Sequence, residues 1–141
     1  MKEQAYQSKI YKWYFAVGGH CVNGKYTKAG EADLQGSVPI HAGIRPEDSL
    51  AENKTITVRT ILVSLLVEVK TKLDYDRVMR GVKEVDNRYI IENLTPLKEH
   101  EPLQIHKINE VRAKGGLALI AYSVEQVEQY LVAQGVWKSR P

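Results

Sequence analysis

The chain has one cysteine, Cys21, among 141 residues. That excludes an intrachain disulfide and removes one argument for an oxidising compartment. No apolar signal core stands near the start, where Lys2, Glu3, Gln4 and Gln7 lie. The run Ile61–Val67 is too short and too polar at its flanks to span a bilayer. No internal repeat or low-complexity tract is visible. These absences predict a cytoplasmic protein without membrane contact.

Metal and nucleotide signatures are also missing. His20, His41, His100 and His106 show neither helical i, i+4 spacing nor a Cys-x-x-Cys companion. Gly115-Gly116 precedes an apolar segment instead of leading from a strand into a helix, so it lacks the context for phosphate binding. No metal or cofactor is therefore expected.

What is present suits one compact α+β domain over residues 1–141, with 43% hydrophobic residues available for a core. Residues 29–53, punctuated by Gly30, Gly36, Pro39, Gly43 and Pro46, read as loop with a brief strand near Ser37–Ile40. Residues 137–141 read as a tail. The formal charge is +3, from 20 basic and 17 acidic residues. Five lysines stand against Glu3 in residues 1–28, and acids dominate residues 29–54. Mixed charge of this kind is normal on a soluble surface.

The hydrophobic period changes from two to about three and a half across Lys54–Lys83. Thr55–Val69, rich in Thr and branched aliphatics, predicts one long strand or two. Leu62, Leu65, Leu66 and Val69 also lie at helical spacing. Asp74, as a cap, opens a predicted helix carrying Tyr75, Val78, Met79, Val82, Val85 and Tyr89, ended by Thr95-Pro96. Ile10–Val17 reads as a strand with Tyr11, Trp13, Phe15 and Val17 on one face and Lys12 and Tyr14 on the other. Asn23-Gly24 signals a type I′ hairpin joining Cys21-Val22 to Lys25-Tyr26. A helix from Glu101-Pro102 to Arg112, a buried strand Leu117–Tyr122, and a helix from the Ser123/Gln126 capping box to Gly135 complete the pattern. The expected architecture is a mainly antiparallel sheet with two or three helices packed on one face.

Three kinds of residue carry possible chemistry. Gly18-Gly19-His20-Cys21 supplies a thiol near an imidazole, with His41, His100 or His106 as the base the fold would have to bring in. Adjacent strand residues point to opposite faces, however, and a free cysteine is more often a small buried hydrophobe. Lys12, Tyr14, Lys25 and Tyr26 interleave cations with aromatics, the chemistry of single-stranded nucleic-acid platforms. Arg77, Arg80, Lys83 and Arg88 have acids interspersed among them, as on a solvated helix.

Asp86–Leu94 is similar to the segment after the first helix of 6-pyruvoyltetrahydropterin synthase-like proteins, and Phe15 followed by His20 resembles their first strand. The likeness covers a small part of the chain. The family's His-x-His metal pair has no match here, so metal-dependent pterin chemistry is not implied.

The leading expectation is a non-enzymatic binding or accessory protein. It would act through surface recognition and self-association, using an edge of the long central strand to pair with a second copy or a protein partner. The alternatives are a small-molecule enzyme with His20, Cys21 or His41 in its pocket, and a nucleic-acid binder using the Lys/aromatic N-terminal region.

Overall fold

A computed structural model describes residues 3–23, 33–40 and 61–138. Helix α1 spans Glu3–Ala16 and is followed by strands β1 (His20–Asn23), β2 (Leu34–Pro39) and β3 (Leu62–Val69). Helix α2 (Lys72–Met79), strands β4 (Val82–Val85) and β5 (Arg88–Ile91), helix α3 (Glu101–Ala113), strand β6 (Leu117–Ala121) and helix α4 (Val124–Ala133) follow in order. The main sheet has the order β1-β2-β3-β6, antiparallel except for the parallel β3–β6 pair, and β4–β5 form a separate antiparallel hairpin. The α+β class expected from the sequence is the observed one. The predicted strands at Ser37–Ile40 and Leu117–Tyr122, and the helices after Glu101 and Ser123, correspond to β2, β6, α3 and α4.

Helices pack on both faces of the sheet, because β3 and β6 alternate between two cores. Leu65, Val67, Val69, Leu117, Leu119 and Ala121 pack with Ile10, Trp13 and Tyr14 of α1 and with Val127 and Leu131 of α4. Ala118 and Ile120 pack on the opposite face with Val78, Val82, Tyr89, Ile105 and Ile108. A parallel pair covered on both faces accounts for the unbroken apolar run of β6. Each fully buried aliphatic side chain contributes about 1.5–3 kcal/mol.

Two predicted elements are corrected. Ile10–Val17 is helical and not a strand. Trp13 and its neighbour Tyr14 are both buried while Phe15 is exposed, a pattern that alternation forbids and a helical face at 10, 13 and 14 satisfies. Gly18, at φ +88°, ends the helix. Phe15 therefore does not belong to a first strand, and the pterin-synthase likeness loses that element.

The long helix from Asp74 is also corrected. Its cap is Thr71, whose Oγ1 accepts from the Asp74 amide at 3.1 Å, and it stops at Met79. A methyl group on Gly81 would run into the Asn93 carbonyl and the Pro96 ring, so the chain leaves the helix where only glycine fits. Asp86 and Asn87 then take φ of 50° and 61°, making the tight hairpin turn between β4 and β5. Val82, Val85 and Tyr89 suit either period, and the Asp-Asn turn decides between them.

The predicted free edge on the long central strand is corrected as well, since β2 and β6 occupy both edges of β3. The outer edge of β6 is filled by side chains. The Ala118 amide donates to Tyr130 Oη and the Ile120 amide to Tyr89 Oη, both at 3.2 Å, while Arg112 Nε donates to the Ala118 carbonyl at 2.7 Å. Such capping blocks strand addition there. Of the predicted Asn23-Gly24 hairpin, Cys21, Val22 and Asn23 lie in β1, where they pair with Gly36, Gln35 and Leu34 of β2, while Gly24, Lys25 and Tyr26 lie outside the described residues, as do residues 55–60 of the predicted central strand; β3 bears out the strand for Leu62–Val69.

Candidate functional site

Four charged residues are buried among those described: Glu68, Lys70, Glu101 and Arg112. Three of them meet at the carboxyl end of β3, and burying a charge requires partners. Alternation puts Glu68 and Lys70 on the same face of the chain leaving β3, the face covered by α3. The register pairs Leu34 with Val67, so one step further Asp33 stands opposite Glu68. Asp33 Oδ2 accepts from the Val69 amide at 3.0 Å, which anchors that carboxylate at the strand end.

Helix α3 supplies the next layer. Gln104 Nε2 donates to Glu68 Oε1 at 2.8 Å, and Gln104 Oε1 accepts from Lys70 Nζ at 3.1 Å. One amide thus bridges the acid and the base. Lys70 Nζ also donates to Glu101 Oε2 at 3.1 Å, and Arg77 of α2 forks onto both Glu101 oxygens at 2.7 and 2.9 Å. Glu3, at the first turn of α1, is near enough that partial burial and the Asp33 charge raise its pKa.

The two acids in the cluster are tuned in opposite directions. Burial, with the charge of Asp33 opposite, pushes the Glu68 carboxyl up to about 9. Burial would also raise Glu101, but hydrogen bonds from Arg77, the Lys98 amide and Lys70 hold it at about 2. Glu101 is therefore a settled ion, whereas Glu68 keeps its proton at neutral pH, hydrogen-bonded to Asp33, and a cation between the two carboxyls would displace that proton. Hard oxygen donors of this kind suit Mg²⁺ or Mn²⁺, which take one or two protein carboxylates and complete their shells with water and phosphate oxygens. No group of three or more His, Cys, Asp or Glu side chains among the described residues is arranged to hold an ion, so such a cation would rest on this pair.

The residues singled out in the sequence lie elsewhere. Cys21 is buried, and desolvation pushes its thiol up to about 12, which keeps it protonated at neutral pH. His20 is exposed, with its ring edge-on to Phe15. Tyr14, expected on an outer face, is fully buried and donates to the Leu65 carbonyl at 2.7 Å. Lys12 is exposed on α1, as are His100 and His106 beside and on α3. His41, Lys25 and Tyr26 lie outside the described residues. Arg77, expected on a solvated helix face, is instead drawn onto Glu101. The signal for the cluster was two charges, Glu68 and Lys70, two residues apart at the end of an otherwise apolar strand.

Cavities of about 410 Å³ beside α4 and about 470 Å³ at the α3–β6 turn have neither Asp33, Glu68 nor Lys70 in their walls. No helix among the described residues is long and apolar enough to cross a membrane. Comparison with protein-family models, curated proteins and solved structures finds no match to this chain.

Proposed function

We propose that the protein is a divalent-cation-dependent phosphodiester hydrolase acting on nucleic acid, with Asp33 and Glu68 as the cation-holding carboxylates and Lys70 as the phosphate-facing base. The observation that carries this reading is the opposition of Asp33 and Glu68 across the β2–β3 register, with Lys70 two residues on. A small core gains little from burying three charges at one strand end, and a binding scaffold needs none of them. The cation is a departure from the metal-free expectation.

In hydrolysis, a water oxygen bonds to phosphorus, an ester P–O bond breaks, and the departing oxygen leaves with a proton. Asp33 and Glu68 would hold a divalent cation, which would supply a water of lowered pKa and polarise the phosphoryl oxygens. The Lys70 ammonium offsets charge that builds on those oxygens. Gln104 holds Glu68 in place through its amide. Exposed Lys9 and Lys12 lie further along α1, whose first turn adjoins Asp33, and they supply charge for a phosphate backbone. The candidate enzyme thus rests on the Asp33–Glu68–Lys70 cluster, distinct both from the non-enzymatic binder expected from the sequence and from its His/Cys-pocket alternative.

The test is cleavage of labelled DNA and RNA with Mg²⁺, Mn²⁺ or a chelator. Cleavage that needs the cation and falls by about 10²–10³ in Lys70→Met is the expected result. Absence of cleavage with either ion, or undiminished cleavage in Asp33→Asn, overturns the reading.

A further inference from the structure

The Glu101 carboxylate accepts four hydrogen bonds: two from Arg77, one from Lys70 Nζ, and one from the Lys98 amide at 2.6 Å. An ionised carboxylate has about four acceptor positions. Glu101 therefore has none left for a cation, a proton or a water, and its side chain is only 1% exposed. It can act only through its partners. Three of its four bonds lock an arginine and the Lys98 turn that leads into α3, and the fourth reaches Lys70.

Lysine is a compact charge on a flexible four-carbon stem, and it turns toward the nearest anion. For Lys70 the competing acceptor is the Glu68 carboxyl, two residues back on the same face and close enough that the Lys70 charge favours its ionised form. A lysine collapsed onto Glu68 would occupy the carboxyl oxygens a cation needs once the proton is lost, and would withdraw the ammonium from phosphate. Glu101 and Gln104 hold it from the α3 side. Two of its three N–H donors are used in that way, at 3.1 Å each, and one remains.

We infer that Glu101, itself clamped by Arg77, is a positioning residue that keeps the Lys70 ammonium off Glu68 and directed to substrate. The inference rests on the hydrolase reading of the same site. Neither residue is placed to touch substrate. Arg77 sets the geometry of Glu101, and Glu101 sets that of Lys70.

The experiment compares wild type, Glu101→Gln and Arg77→Lys in steady-state cleavage, in nucleic-acid binding with Ca²⁺, and in NMR of ¹⁵N-lysine-labelled protein. In Glu101→Gln, kcat is expected to fall about ten- to a hundredfold, the cost of misplacing a reacting group. KM and binding in Ca²⁺ should stay within about twofold, because the clamp does not touch substrate. Arg77→Lys, which keeps the charge and loses the fork, should fall between the two. The Lys70 ammonium resonance should be slowly exchanging in wild type and lost in Glu101→Gln. Unchanged kcat, or kcat and KM moving together, overturns the inference. If Glu101→Gln does not fold, the Arg77→Met, Glu101→Gln double variant leaves no unpaired arginine and is held to the same outcomes. If wild type cleaves nothing, the hydrolase reading has failed by itself. The clamp is then judged by the resonance, and a line that persists in Glu101→Gln overturns it.

Discussion

Two regions of this protein bury an arginine or lysine against glutamate, and they do so to different ends. At the outer edge of β6, Arg112 lies against the rings of Tyr89 and Tyr130, at 4.5 and 4.9 Å, and reaches Glu84 at 2.6 Å. Its Nε closes the Ala118 carbonyl, so the cation serves the sheet edge. At the end of β3, Glu101 settles Lys70 and Arg77, but Asp33 and Glu68 remain an opposed pair of acids. The first cluster satisfies a backbone. The second keeps two opposed carboxyls, one with its pKa raised, and the proposed cation site rests on that difference.

The largest expected effects come from breaking that contrast. Glu68→Gln should lower cleavage by about 10²–10³ and leave the melting temperature equal or higher, because a carboxyl that must take up a proton to be buried is replaced by a neutral amide. Arg112→Leu should do the reverse. Stability falls by about 2–3 kcal/mol in a denaturant titration, from the lost buried hydrogen bond and packing, and cleavage per folded molecule is unchanged. A variant that moved both quantities together would erase the distinction.

The pH dependence sharpens it further. Glu68 has its folded pKa raised to about 9 from 4.5, so its contribution is fully present below about pH 4.5 and is lost as pH rises through 9. Added Mg²⁺ should oppose that loss, as seen in melting curves with and without the ion. Glu101, lowered to about 2, behaves oppositely: its contribution is present above pH 4.5 and lost as pH falls through 2. Glu101→Gln should flatten the acid limb only. The smallest effect is reserved for Cys21→Ala, which should cost about 1 kcal/mol of packing and leave cleavage as it was. Loss of cleavage in that variant would revive the thiol.

Local chemistry made much of the fold legible. Ser123 and Gln126 announced α4, and Ser123 Oγ does accept from the Gln126 amide at 3.2 Å. Proline after Glu101 marked α3, and the apolar run after Gly116 marked β6. The N-terminal aromatics fit both periods, since Tyr11, Trp13, Phe15 and Val17 alternate while Ile10, Trp13 and Tyr14 share a helical face. The site was almost invisible. Glu68 and Lys70 are neighbours in sequence, but Asp33 lies 36 positions from the Val69 amide that fixes it, and Glu101 lies 31 from Lys70.

By itself, then, the amino-acid order determined the elements whose signals are short-range: caps, turn residues, and the period of a face buried on both sides. Tertiary structure alone decided that α1 is a helix, by burying Trp13 and Tyr14 together, and that Asp33 meets Glu68. The physical reason is register. Which side chains stand opposite one another across a sheet follows from how distant strands pair, and no local preference encodes that partner.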